Sequence, residues 1–110
     1  MRYRKVYVKI WNDEKFMNFT DDGKLAFLFI MTHPNMTALG AMRATIPGLA
    51  AELGWSEEKF RTAINTASEQ YMVICDEKYS LLWMKNFLTY NEPESINSVK
   101  AWLSYYNSFP

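Results

Sequence analysis

Cysteine and histidine each occur once in this 110-residue chain, and twelve Lys/Arg balance twelve Asp/Glu, so no net charge remains. A lone Cys75 excludes an intrachain disulfide and fits a reducing compartment. One His and one Cys, far apart in sequence, are too few to assemble a zinc-type ligand set, so no metal site is expected. Gly23, Gly40, Gly48 and Gly54 are isolated from one another, which leaves no glycine-rich phosphate cradle. No apolar run approaches the ~18–20 residues of a membrane span. The start, Met1-Arg2-Tyr3-Arg4-Lys5, is basic, but Val6–Trp11 alternates with polar residues instead of forming a continuous signal core. These absences point to a soluble cytoplasmic protein that is not an enzyme, needs no cofactor and does not engage a membrane.

What is present suffices for a packed core: 49% of residues are hydrophobic and 16% aromatic. The length fits one domain, 1–110, with its core over about 20–85. Charge is unevenly distributed. Residues 1–43 carry seven Lys/Arg against four acids, and residues 44–110 carry five against eight. An electrostatic footprint for a polyanion therefore leans on the N-terminal part.

Alternation over residues 3–10 predicts a half-buried strand, with Tyr3, Lys5, Tyr7 and Lys9 on one face and Arg4, Val6, Val8 and Ile10 on the other. A short helical turn from Asn12 or Asp13 follows, with Phe16 and Phe19 inward. Thr20 caps a helix to about Thr32 that carries Asp21 and Asp22 in its first turn. This helix is apolar all round and needs covering on two sides. The N-terminal strand and C-terminal helix, or a second protomer, would provide that cover. His33 ends the helix, where a partly charged imidazole suits the dipole, and Pro34 stops it.

A short strand over 42–45 comes next, then a helix from Ile46-Pro47 with Leu49, Ala50 and Leu53 inward and Gly54 as a left-handed stop. Ser56 caps a further helix over 56–70, whose core stripe is Phe60, Ala63, Ile64, Ala67 and Tyr71. Strands at 72–75 and 81–84 flank a turn and make a hairpin. A final amphipathic helix spans 95–106 and carries more aromatic area than one small helix readily buries. It either closes the core from outside or packs on another protomer. Two helices around a tight glycine-containing turn, followed by a hairpin, predict an α+β, mostly helical winged helix with an added strand and helix at its ends.

In a helix-turn-helix the second helix enters the major groove. With Phe60 inward, helix 56–70 presents Glu58, Thr62, Asn65 and Glu69, flanked by Lys59, Arg61 and Thr66. Asn65 suits adenine, and Arg61 suits guanine or a phosphate. Glu58 and Glu69 oppose the backbone, and Glu57 lies four residues before Arg61 as a helix-face ion partner, so this face also reads as ordinary solvated surface. The N-terminal alternation of Tyr3, Lys5, Tyr7 and Lys9, extended by Arg2 and Arg43, combines rings and cations as a nucleic-acid track does. Its other reading is an edge strand protected by lysines. Cys75, in an apolar run, reads as a small strand residue and not as a nucleophile.

Five segments in the same order resemble the N-terminal domain of phage replisome organiser proteins. They are Lys9-Ile10-Trp11-x-Asp13-Glu14-Lys15-Phe16, Thr32-His33-Pro34-x-Met36, Leu49-Ala50-x-Glu52-Leu53-Gly54-Trp55, Asn86-Phe87-Leu88-x-Tyr90-Asn91 and Pro93-Glu94-Ser95-x-Asn97. The resemblance implies a winged helix that recognises origin DNA, as duplex or single strand, in a bacterial host. It also implies that a helicase or its loader is recruited through a C-terminal region outside this chain, which ends at Phe109-Pro110 as a fragment would. The family is similar to primosomal proteins whose winged helix serves self-association. Two alternatives stand beside DNA binding in replication initiation: an oligomerisation module and a winged-helix transcription regulator.

Overall fold

A computed structural model describes residues 3–85 of the chain. Arg2, the helix expected over 95–106 and two of the five resembling segments lie outside these residues. The described part is α+β and about half helical. A 3-10 helix, Val8–Asn12, leads to α1 (Glu14–Met17) and α2 (Asp21–Met31). Strand β1 (Ala41–Arg43), α3 (Ile46–Leu53), α4 (Glu57–Glu69) and the β2–β3 hairpin (Val73–Asp76, Leu81–Met84) follow. The sheet is antiparallel with β3 central, in the order β1-β3-β2. Ala41 stands opposite Trp83, and Val73 opposite Met84.

The caps explain why the helices begin where they do. Thr20, Thr45 and Ser56 each take extended backbone angles, and each hydroxyl accepts the N–H three residues on, from Gly23, Gly48 and Lys59. Asp13 does the same for α1 through Phe16. Helix α2 buries Gly23, Ala26, Phe27, Ile30 and Met31, while Leu25 stays half exposed. Its all-round apolarity is met on one side by Phe16 and Phe19, whose rings lie 5.8 and 5.4 Å from that of Phe27. Helix α4 packs beside it, and the approach is close at Gly23. A methyl group there would stand 2.9 Å from the Ala63 carbonyl oxygen.

The strand expected over residues 3–10 does not form. Residues 3–7 are extended, with a single bridge at Val6, and the chain then coils into the 3-10 helix. In a strand Val8 and Ile10 would share a face; here Val8 is 86% exposed and Ile10 1%. The Ile10 N–H bonds back to the Tyr7 carbonyl at 3.2 Å. This turn brings Ile10 and then Phe16 inward, which a straight strand would not do. The buried cluster therefore begins at Ile10.

Helices α3 and α4 end alike. Trp55 N–H bonds to Ala50 and Gly54 N–H to Ala51; Met72 N–H bonds to Ala67 and Tyr71 N–H to Ser68. Both are Schellman closures, which need a left-handed residue. Gly54 supplies it at φ 73°, but after α4 the position falls to Tyr71 at φ 57°. The left-handed turn throws Tyr71 outward to 67% exposure, so it leaves the core stripe in which its spacing placed it. Tyr71→Gly is expected to stabilise the fold by roughly 0.5–1 kcal/mol, the relieved strain exceeding the added chain entropy. A raised urea midpoint at unchanged slope is the readout.

Candidate nucleic-acid interface

Helix α4 is oriented by Phe60, Ala63, Ile64 and Ala67, all buried, so its opposite side carries Glu58, Arg61, Thr62, Asn65 and Glu69 to the surface. The turn Gly54–Ser56 joins it to α3, and the hairpin leaves its far end. The two base-reading candidates have carboxylate partners. Arg61 Nη2 donates to Glu77 Oε1 at 2.7 Å and Nη1 to Glu77 Oε2 at 3.4 Å, a fork across to the hairpin. The same Nη2 reaches Glu57 Oε1 at 3.3 Å, the helix-face pair expected from spacing. Asn65 Nδ2 donates to Glu69 Oε1 at 3.1 Å.

The fork has an electrostatic signature. The Arg61 hydrogen bond and charge hold the Glu77 carboxyl below the usual carboxylate range, and the carboxylates raise Arg61 in turn. A depressed carboxyl contributes stability above the ordinary carboxylate range and loses it as pH falls through its own lowered value. The contribution is small because both groups are exposed. NMR titration of the Glu77 side chain is expected to give a midpoint below those of other glutamates. Arg61→Ala should bring it back among them, and a midpoint unmoved by that change would rule the fork out in solution.

The other expected site residues divide between two surfaces. Lys59 Nζ sits 4.5 Å over the Trp55 ring, an i, i+4 pair straddling the cap. Thr62 lines a shallow cavity of about 390 Å³ between the starts of α2 and α4, with Thr20, Asp22 and Glu58. Thr66 is half-buried one turn on. Arg43 is exposed at the end of edge strand β1. Lys5 and Lys9 are exposed on the N-terminal segment, where Lys9 Nζ stands 5.1 Å from the Tyr7 ring centroid. That segment is fastened elsewhere, through Arg4 Nη2 donating to the Met36 carbonyl at 2.8 Å.

Two other polar groups have structural roles. His33 is 5% exposed, and its Nδ1 accepts the Asn35 N–H at 3.0 Å. The proton therefore sits on Nε2, which faces Glu52 Oε2 at 2.6 Å. The imidazole thus closes the chain after α2 and links it to α3. Burial, followed by the Glu77 charge, pushes the Cys75 thiol up to about 11, which leaves it protonated and unreactive near neutrality. Among the described residues no three His, Cys, Asp or Glu side chains gather as a metal would need, and no helix is long and apolar enough to cross a membrane.

Sequence reasoning anticipated Glu57 as a partner of Arg61 but missed Glu77, because only the hairpin's placement brings it there. The Lys59–Trp55 pair was available in the spacing and went unused. Comparison of the chain with protein families, curated proteins and solved structures found no match.

Proposed function

We propose that this chain is a winged-helix DNA-binding domain of a phage-type replication initiator, with α4 as recognition helix and the β2–β3 hairpin as wing. The observation that carries the reading is the order helix, strand, helix, tight turn, helix, hairpin, with the outer side of α4 left uncovered beside the hairpin. Thr62, Asn65 and Thr66 face the groove; Lys59, Arg43, Lys5, Lys9 and Arg2 contact phosphates. Arg61 exchanges Glu77 for DNA on binding. That exchange is favourable, since an exposed ion pair is worth little whereas a bidentate contact to a base or phosphate forms in a partly dehydrated groove. The wing's acidity opposes this exchange, since Glu77 loses its partner when Arg61 turns to DNA. At its tip, Lys78 Nζ lies 5.3 Å from the Tyr79 ring and offers a further cation to the backbone.

Fluorescence anisotropy against duplex DNA over a salt series tests the reading. About five lysine or arginine phosphate contacts give a log–log slope of roughly −4 to −5. Asn65→Ala is expected to weaken binding to some duplex sequences more than others. A uniform loss would remove Asn65 from base reading, and no duplex binding at low salt would overturn the proposal. The carboxylates Glu57, Glu58 and Glu69, which repel phosphates, favour one rival, a module that oligomerises through its aromatic N- and C-terminal elements with the winged helix as scaffold. Sedimentation at several concentrations distinguishes it, because that rival requires a concentration-dependent oligomer.

A further inference from the structure

The N-terminal segment carries large rings to the surface. Tyr3 is 72% exposed, Tyr7 37% and Trp11 55%, while the neighbouring Ile10 and Phe16 fill the core. Tyr3, Lys5 and Tyr7 alternate outward along the extended stretch, and Arg4 and Val6 are half-buried between them. In the 3-10 helix, residues three apart share a face, so Val8 and Trp11 form an exposed ridge continuing past Tyr7. Lys9 stands against Tyr7, setting a cation beside a ring. Trp11 is held without being covered: it meets Phe16 edge-on at 5.4 Å and an 82° interplanar angle. One edge of the indole is anchored in this way, and more than half of its surface stays open.

We infer that this strip, Tyr3, Lys5, Tyr7, Lys9 and Trp11, is a binding site for single-stranded nucleic acid, its rings stacking on unpaired bases and its lysines following the phosphates. The inference rests on the nucleic-acid reading of the domain but uses a different surface from α4. Exposed rings with ammonium groups beside them are the combination that a strand of bases and phosphates demands. A second copy of the protein fits it poorly, because lysine is depleted from the cores of protein–protein interfaces, and here Lys5 and Lys9 lie among the exposed rings. Duplex DNA fits the rings poorly, since paired bases offer no free faces for stacking, so a duplex would meet only the two lysines.

The test uses the whole chain and three labelled probes: an oligo-dT of about 15 nucleotides, an abasic oligomer of the same length, and a duplex. Oligo-dT is expected to bind more tightly than the abasic strand. Tyr3→Ala and Trp11→Leu should each weaken oligo-dT binding by about five- to a hundredfold, the range for one lost base stack, with abasic and duplex affinities unchanged. Trp11→Phe, which keeps a ring against Phe16, should restore most of the loss. Lys5→Ala and Lys9→Ala should weaken both single strands and flatten the salt slope by about 0.7 each. Matching circular dichroism spectra and melting curves show that the variants remain folded.

Equal affinity for oligo-dT and the abasic strand would overturn the inference, as would aromatic variants that bind like the parent. It would also be overturned if those variants altered sedimentation but not DNA binding, since the strip would then be a contact between copies. Duplex binding without oligo-dT binding removes this site and leaves the α4 reading standing. Oligo-dT binding without duplex binding does the reverse.

Discussion

Phe16→Ala is expected to destabilise the protein by about 3–5 kcal/mol, the range for truncating a fully buried aromatic. Phe16 has no exposed surface, and its ring meets Trp11 at 5.4 Å and Phe19 and Phe27 each at 5.8 Å. Removing it opens a void among three rings and weakens the packing of the N-terminal segment against α2. Domains of this size hold only about 5–15 kcal/mol in total, so the variant should be largely unfolded at modest urea and melt tens of degrees lower. Urea titration followed by circular dichroism checks it, with Val8→Ser as companion. Val8 is 86% exposed, and its replacement should move stability by no more than about 0.5 kcal/mol. A loss below about 1 kcal/mol at Phe16 would mean that residues before α2 are not part of the core. The contrast also bears on function, because Trp11 can offer a ring to solvent only while Phe16 holds its edge.

Local chemistry was the most legible layer of this sequence. Thr20, Ser56 and Gly54 announce helix ends by mechanisms acting within three or four residues, and the structure places each as expected. The phase of α4 was legible as well, since Phe60 with Ala63, Ile64 and Ala67 allows only one inward side. The N-terminal segment was misread because period-two alternation was genuine over 3–7 and ran by coincidence into Val8 and Ile10. What separates those two is the tertiary demand to bury Ile10 and Phe16, which carries no local mark. Tyr71 was misread for a related reason. Its spacing matches the stripe, but the Schellman closure after Glu69 turns the chain one residue too early, and a tyrosine in the left-handed region gives no warning as a glycine does. At the site, the carboxylate four residues before Arg61 was visible, whereas Glu77, sixteen residues on, was not. Its reach depends on the hairpin, and the hairpin on the sheet.

That last contact makes the α4 reading open to a gain-of-affinity test. Glu57→Gln together with Glu77→Gln removes two carboxylates from around Arg61 and releases its guanidinium without altering side-chain size. If α4 and the hairpin meet DNA, Arg61 of the double variant reaches it without first giving up its carboxylates. That relief is the worth of exposed ion pairs, up to about fivefold in affinity. Lost repulsion between carboxylate and phosphate adds a smaller increment of the same sign. Adding Arg61→Ala separates the two effects. On that background the glutamine pair can relieve repulsion but frees no cation, so most of the gain should vanish, and the non-additivity measures what Arg61 contributes. Stability should change little, since the pairs broken are exposed. A gain equally large without Arg61 would make the face a repulsive surface that merely tolerates DNA. No gain at all would mean that DNA does not approach α4, and the acidic side of this helix would then be better matched to a basic protein partner.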